Sequence, residues 1–242
     1  YCNGMQRSSW KTISGAINRI VSELSMNTYA TTVSGLNFSY VGDNSQSYQL
    51  IGLQERAKAV TVSDFKIRAP NWTRAAPAIR VVGKENLIKD GHINVGGTGA
   101  AISLDNSAGA NDDNVIDNIA IEHSAGLACL AQISPSGSGT ASRNKLLNIK
   151  GLSDNHSGTW QAVKVGGTEN VVRGCSSKDA NAQIQLVTGA QYNIVESNDF
   201  AVDFTATDLT LQPRMNSLIG NTSLRAKQFR RCRYKQSGGL TD

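Results

Sequence analysis

The stretch "AVKVGGTENVVRGCSS" at residues 162–177 decides the fold, because the chain contains close copies of it. The pattern returns as "AIRVVGKENLIKDGHI" at residues 78–93 and, more loosely, as "IQLVTGAQYNIVESND" at residues 184–199. In a chain without low-complexity character, recurring copies of one local pattern indicate that a single structural unit is stacked on itself.

An asparagine marks the same place in each copy. Alignment on this residue gives six frames with steps of 28, 30, 26, 23 and 23 residues, beginning at Asn86, Asn114, Asn144, Asn170, Asn193 and Asn216. The second residue after each asparagine is aliphatic: Ile88, Ile116, Leu146, Val172, Val195 and Leu218. An aliphatic residue at a fixed place in every repeat is what an inward-facing position of a stacked strand requires.

The repeats predict an all-β fold, a right-handed parallel β-helix. Their apolar runs are three to five residues long and alternate at period two, which indicates strands rather than helices. Leucine-rich repeats are the closest alternative, but their dense leucine spacing is absent. Adding "TTVSGLNFSYVG" (31–42) and "AVTVSDFKIRAP" (59–70) to the frames predicts about eight coils. The right hand follows from the chirality of parallel crossovers, and the stacked asparagines are expected to hydrogen-bond along their column.

The flanking segments complete the predicted domain organisation. Residues 1–30 form a lead-in and capping helix, residues 31–224 the β-helix, and residues 225–242 a basic tail. The helix is predicted over 9–25, because apolar residues recur there at helical spacing: Trp10, Ile13, Ile17, Ile20, Val21 and Leu24. The alternative for this segment is a trimerising coiled-coil stub.

Charge and cysteine content narrow the possible partners. The net charge is +5, but residues 224–235 carry six positive charges and no acid, so the rest of the chain sums to −1. Nucleic-acid binding is therefore disfavoured, and the tail is read as a solvated or subunit-contacting strand. The sequence contains no apolar run of about 18 residues, so no membrane span is predicted. The cysteines stand apart, which predicts free thiols and neither metal nor cofactor.

The capping segment, the turn-rich lead-in and the coils with an Asn-x-aliphatic corner resemble the pectin-lyase-like β-helix superfamily. Within that superfamily, residues 55–224 are most similar to phage tailspikes and related virion receptor-binding proteins. The resemblance implies a homotrimer on the virion, in contact with other virion proteins, that binds and often cleaves host-surface polysaccharide. The polygalacturonase signatures are not matched, so no catalytic residue follows from the resemblance.

The candidate catalytic residues come from acidic side chains expected on the outer surface. Asp117 and Glu122 lie in "DNIAIEH", and Asp154 is expected one coil further on. Hydrolysis of a glycosidic bond requires two carboxyl groups about 5 to 10 Å apart. The alternative is that these acids are solvated surface residues that keep the protein soluble. The acids of "NDD" (111–113) have no recognisable ligand spacing, so no metal site is predicted.

The candidate glycan-binding residues are His92, His156 and Trp160. His156 and Trp160 lie in the segment "SDNHSGTWQ" (153–161), and His92 is expected one coil below Glu122. Loops that leave a rigid scaffold often carry binding residues, and an exposed tryptophan offers a stacking face for sugars. The alternative for Trp160 is a packing residue.

These observations favour a phage virion spike or fibre protein that attaches to host-surface polysaccharide. The first alternative is a polysaccharide-degrading enzyme, either a glycoside hydrolase or a lyase. The second alternative is a structural decoration or adaptor protein of the virion.

Overall fold

The computed structural model describes residues 12–14, 19–20, 24–40, 49–73, 75–105, 111–133, 141–158, 160–187, 190–203 and 216–221. These residues form strands and turns, and their strands pair in parallel between successive coils. The predicted all-β parallel β-helix is thereby confirmed as a parallel β-solenoid. Within the described residues, no helix has the length and apolar character to cross a membrane. The basic tail predicted at 225–242 lies outside the described residues.

Two large sheets and one short pair of strands make up the solenoid. The first sheet consists of twelve strands: β1 (Thr12–Ser14), β2 (Arg19–Ile20), β4 (Thr32–Ser34), β5 (Asn37–Tyr40), β7 (Thr61–Ala69), β9 (Leu87–Val95), β12 (Val115–His123), β15 (Lys145–Gly151), β17 (Val171–Arg173), β18 (Ser176–Ser177), β20 (Ile194–Glu196) and β22 (Ser217–Ile219). The second sheet consists of eight: β3 (Leu24–Met26), β6 (Ile51–Leu53), β8 (Ile79–Val81), β10 (Ala100–Leu104), β13 (Cys129–Ile133), β16 (Trp160–Val165), β19 (Ala182–Leu186) and β21 (Ala201–Asp203). The short pair is β11 (Asn111–Asp112) with β14 (Ala141–Ser142).

The predicted register is confirmed along the first sheet. Its strands align so that the aliphatic residues of successive frames face one another: Ile88, Ile116, Leu146, Val172, Val195 and Leu218. All of them are fully buried except Leu218, which is partly buried against the core. The second sheet supplies a matching inward column of Ile51, Ile79, Ile102, Ala131, Val163 and Ile184. A continuous aliphatic interior therefore runs between the sheets, and its removal from water stabilises the stack.

The corner asparagines form the predicted ladder. Asn114 Nδ2 donates to Asn144 Oδ1 over 3.0 Å, and Asn144 Nδ2 donates to Asn170 Oδ1 over 3.1 Å. Each Oδ1 also accepts the backbone N–H of the preceding corner, as Asn144 Oδ1 does from Asn114 N at 3.0 Å. The side chain thus substitutes for the strand ladder at a corner, where neighbouring backbone groups would otherwise be buried without partners.

Left-handed backbone conformations shape two of the corners. The residue directly before a corner asparagine has a positive φ at Glu85, Asp113, Arg143, Glu169 and Tyr192. A second column of positive φ bends the long strands of the first sheet: Asp64, Asp90, Asn118 and Asn148. Asn and Asp tolerate this region better than other side chains, so these four residues suit the bend. Each long strand consequently has two limbs that face different directions.

Two finer predictions need correction. The described residues form about five turns rather than about eight coils. Strands nearer the N-terminus extend both sheets, but the structure describes their coils only in part. The capping helix predicted over 9–25 is not shown: the described residues in that range are β1, β2 and the start of β3, and the others lie outside the described residues. Ile13 pairs with Val33 of the next coil, and such tertiary pairing overrides a local helical pattern.

Candidate functional site

Three polar side chains meet on the outer face of the first sheet, and we call them the outer cluster: His92, Asn94 and Glu122. His92 Nε2 lies 3.3 Å from Glu122 Oε1, and Asn94 Nδ2 donates to Glu122 Oε2 over 2.6 Å. The positions arise from register, because Asn94 of β9 pairs with Glu122 of β12 in the next coil. The side chains of His92 and Glu122 are 30% and 45% exposed, so the cluster is fixed and open to solvent.

The three predicted catalytic carboxyl groups have different surroundings. Asp117 lies on the other limb of β12 from Glu122, separated from it by the bend at Asn118, and its Oδ1 accepts from Asn148 Nδ2 at 2.9 Å. Asp154 is exposed on the loop 152–158 that follows β15. Of the three, Glu122 alone joins a predicted glycan-binding residue, His92.

A second cluster lies where the first sheet turns toward the second, and we call it the histidine corner: His123, His156, Trp160 and Asp179. The ring centroids of His156 and Trp160 are 3.9 Å apart with planes inclined by 10°, which is a stacked pair. The His123 centroid lies 5.3 Å from that of His156 and 4.8 Å from that of Trp160. His123 ends β12 in the column that holds Val95 in the preceding coil, so it takes an inward-facing place.

Hydrogen bonds fix both imidazoles in the same tautomer. His156 Nδ1 lies 2.9 Å from Asp179 Oδ2, and His123 Nδ1 lies 3.1 Å from the carbonyl oxygen of Ser124. Because a carbonyl oxygen and a carboxylate can only accept, each Nδ1 carries the proton. Each Nε2 is buried and has no hydrogen-bond partner among the described residues.

Burial and hydrogen bonding set the charge of this corner. Burial lowers the pKa of His123, as does the neighbouring His156, while the Ser124 carbonyl and Asp179 act in the opposite direction. For Asp179, burial favours the neutral acid, but hydrogen bonds from Asn181 and from His156 lower its pKa on balance. At neutral pH the corner therefore holds an ionised Asp179 beside a neutral His123.

The histidine corner also fastens the loop 152–158 to the preceding coil. The backbone N–H of His123 donates to Ser153 Oγ over 2.9 Å, and Asn155 Nδ2 donates to the backbone carbonyl oxygen of His123. Two residues of the loop thus depend on the placement of a single histidine. The exposed Asp154 lies between them.

Contacts to the following coil hold the other end of the loop. The His156 N–H donates to Asp179 Oδ2 over 2.9 Å, and Asn181 Nδ2 donates to the His156 carbonyl oxygen over 2.6 Å. The Asp179 carboxylate also accepts from Asn181 N at 2.9 Å through its other oxygen. One buried carboxylate therefore organises both the loop and the turn that follows β18.

Trp160 is a packed residue in this arrangement. Its side chain is 6% exposed, one ring face stacks on His156, and its Nε1 donates to the carbonyl oxygens of Leu127 and Ala128 over 3.0 Å each. This environment matches the packing alternative in the sequence analysis. His156 is the more exposed member of the pair, with 11% of its side chain accessible.

Asp179 and Asn94 are the residues that sequence reasoning missed. A signal for both was present in the repeat lengths. His156 and Asp179 are 23 residues apart, which equals the local step between corner asparagines, and Asn94 and Glu122 are 28 apart, which equals the step from Asn86 to Asn114. Adding the 23-residue step to His156, or subtracting the 28-residue step from Glu122, gives the number of the partner residue.

Free thiols and the absence of a metal cluster complete the chemical inventory. Burial raises the pKa of Cys129 and of Cys175 to about 12, so both are unreactive thiols. Among the residues that the structure describes, no three His, Cys, Asp or Glu side chains gather in a way that could hold a metal ion. The comparisons with known proteins give no match: no protein-family model, no curated protein and no solved structure is similar to this chain at a significant level.

Proposed function

We propose that this chain is the β-solenoid part of a phage virion spike or fibre, related to the pectin-lyase-like and tailspike β-helices, that attaches to host-surface polysaccharide. The observation that carries the proposal is the outer cluster, in which two successive coils hold an imidazole, an amide and a carboxylate side by side. The repeating surface supports it, because parallel coils present side chains about 4.8 Å apart along the axis. A polymer that lies along the axis would meet several such positions.

The outer cluster offers the chemistry that sugar hydroxyls require. The carboxylate of Glu122 accepts hydrogen bonds, while the imidazole of His92 and the amide of Asn94 both donate and accept. Mutual contacts at 3.3 Å and 2.6 Å already restrict these side chains, so binding would freeze little additional rotamer freedom. A rigid sheet also places such groups more accurately than a loop does.

Binding without turnover is the form of the proposal that we favour over polysaccharide degradation. A glycosidase needs two carboxyl groups that face one bond, one as acid and one as base or nucleophile. Glu122 is engaged with His92 and Asn94, whereas Asp117 lies on the other limb of the strand with a partner of its own. This separation supports the attachment role for the surface around Glu122.

Assembly as a homotrimer through the outer face of the first sheet belongs to the same proposal. Tyr192, Ile194 and Ile219 lie at the C-terminal end of the described solenoid and are 54%, 38% and 58% exposed. A neighbouring copy that covered them would remove apolar surface from water. Light scattering at several protein concentrations should give three times the monomer mass, and a monomer would contradict the trimer.

The test of glycan binding uses two matched variants. Glu122→Gln removes the carboxylate charge of the outer cluster, and Glu196→Gln does the same for an outward glutamate that pairs with Arg173 on a different coil. On capsular or O-antigen polysaccharide that binds the unmodified chain, Glu122→Gln should lower the affinity about tenfold, the equivalent of one charge-assisted hydrogen bond. Glu196→Gln should change it less than twofold.

The same preparations separate binding from cleavage. After incubation with polysaccharide, the appearance of new reducing ends or of unsaturated uronate absorbance would contradict the binding-only role and favour the enzyme. Equal loss of affinity in both variants would remove the outer cluster from the proposal. Absence of binding to every polysaccharide on a glycan array would favour a purely structural virion protein.

A further inference from the structure

The two imidazoles of the histidine corner share one feature that the proposed function does not use. Both His123 and His156 keep Nδ1–H on an acceptor, and both leave a buried Nε2 without a partner in the described part of the chain. A buried polar atom without a partner is uncommon in folded proteins and calls for an explanation. Here the atoms concerned are the sites at which a histidine takes up its second proton.

We propose that the histidine corner is a proton-sensitive latch, in which mild acid protonates His123 and releases loop 152–158 from the neighbouring coils. The loop is the segment that would be released, because hydrogen bonds join its ends to the backbone of His123 on one side and to the carboxylate of Asp179 on the other. The latch rests on these contacts alone and is independent of the glycan proposal.

Protonation is unfavourable in the closed corner for two reasons. A proton on Nε2 would create an N–H buried without an acceptor, and an unpaired buried donor is energetically unfavourable. The charge would also be desolvated, because His123 is only 5% exposed. Burial accordingly lowers the pKa of His123.

Among the described residues, Asp179 is the carboxylate that acts on the charge of the His123 ring. The ionisable groups that act on the His123 ring are His156, which disfavours its protonation, and Asp179, which favours it. Glu122, the preceding residue of the same strand, lies on the outer face with His92 and is engaged there. The ring centroids of His123 and His156 are 5.3 Å apart, and the neighbouring His156 disfavours a positive charge on His123.

An open loop removes this restriction, because the His123 imidazole then meets water and takes up a proton with its ordinary pKa of about 6.5. Opening is therefore linked to proton uptake, and acid favours the open form. The direction of the pH effect follows from the lowered pKa of His123. The stability that the neutral His123 gives to the closed loop is fully present above about pH 6.5 and is lost as the pH falls below that value. For one histidine that protonates only when open, the opening constant rises about tenfold between about pH 7.5 and 5.5.

Amide hydrogen exchange of residues 152–158, corrected for the intrinsic effect of pH, measures this opening in the full chain without glycan. The most direct reporter is the His156 N–H, which is bonded to Asp179. We expect the opening constant to rise about tenfold between about pH 7.5 and 5.5. An opening constant that is the same at both pH values would overturn the latch.

Two variants and one spectroscopic measurement localise the effect. His123→Asn keeps a donor near the Ser124 carbonyl but does not titrate, so its pH response should be flat; His92→Asn should respond as the unmodified chain does. Should His123→Asn fail to fold, the imidazole NMR titration of the unmodified chain decides, since it contains only three histidines. A His123 midpoint below about 6.5 supports the latch, and a midpoint at or above that value overturns it. Loss of glycan binding alone would bear only on the proposed function.

Discussion

Replacement of Asn144 by alanine tests the asparagine ladder at its centre. The side chain makes four hydrogen bonds: Nδ2 donates to the Asn111 carbonyl oxygen at 2.8 Å and to Asn170 Oδ1 at 3.1 Å, while Oδ1 accepts from Asn114 N and from Asn114 Nδ2 at 3.0 Å each. All four residues are fully buried, so water cannot replace the lost partners without rearrangement of the corner.

The expected cost follows from counting which groups lose their partner. Asn114 Nδ2 still donates to Gly83, and Asn170 Oδ1 still accepts from the backbone N–H of residue 144. The Asn114 N–H is left without a partner, whereas the Asn111 carbonyl oxygen loses its side-chain donor but stays in the parallel β11–β14 ladder. At about 1–3 kcal/mol for one buried unsatisfied group, the substitution should lower the free energy of unfolding by about 1–3 kcal/mol.

Equilibrium urea denaturation provides the assay, with Asn94→Ala as the matched control. Asn94 loses a single hydrogen bond, to Glu122 on the outer face, so its cost should stay below about 1 kcal/mol. A stacked array can unfold in parts, so the comparison requires that far-ultraviolet circular dichroism and tryptophan fluorescence give coincident curves. Equal midpoints for the two variants would refute the ladder as a source of stability.

Three further predictions concern the core and the histidine corner. A Cβ at Gly91 would lie 2.1 Å from Phe65 Cζ, so Gly91→Ala should cost about 1–3 kcal/mol and adding Phe65→Leu should recover part of it; unchanged urea midpoints would contradict this. Burial raises the pKa of Cys129 and of Cys175 to about 12, so neither thiol should react with Ellman's reagent in the folded chain. The test uses a chain in which the other two cysteines are replaced by serine, and a reaction before unfolding would contradict the prediction. Because the pKa of Asp179 is held below its ordinary 3.8, Asp179→Asn should be less stable than the unmodified chain at neutral pH, with a difference in urea midpoint that narrows as the pH falls below that value; a constant difference would count against it.

Most of the fold was predictable because a solenoid repeats its requirements. The corner asparagine and the aliphatic residue two places later serve the same purpose in every coil, so Asn144 and Leu146 identify both the corner and the inward face. Predictions weakened where no repeat was present. The N-terminal segment has helical spacing, but Ile13 pairs in a strand with the next coil.

The candidate site was predictable only in part, for the same reason. His92 and Glu122 were expected near each other because the frames placed them one coil apart, and the structure brings them within 3.3 Å. Asp179 was missed because no residue type repeats at its position. The role of Asp179 depends on its contact with His156 of the preceding coil, and no repeated residue marks that contact.

The sequence by itself determined the stacking, the register and the buried aliphatic column, since these follow from residue types that recur at the length of one coil. Only the tertiary structure decided that His123, His156, Trp160 and Asp179 meet at one corner, because they come from four different elements. It also decided that Trp160 is buried rather than offered to solvent. The physical reason is that a periodic contact is written into every repeat, whereas a contact made once depends on the path of loops whose lengths differ from coil to coil.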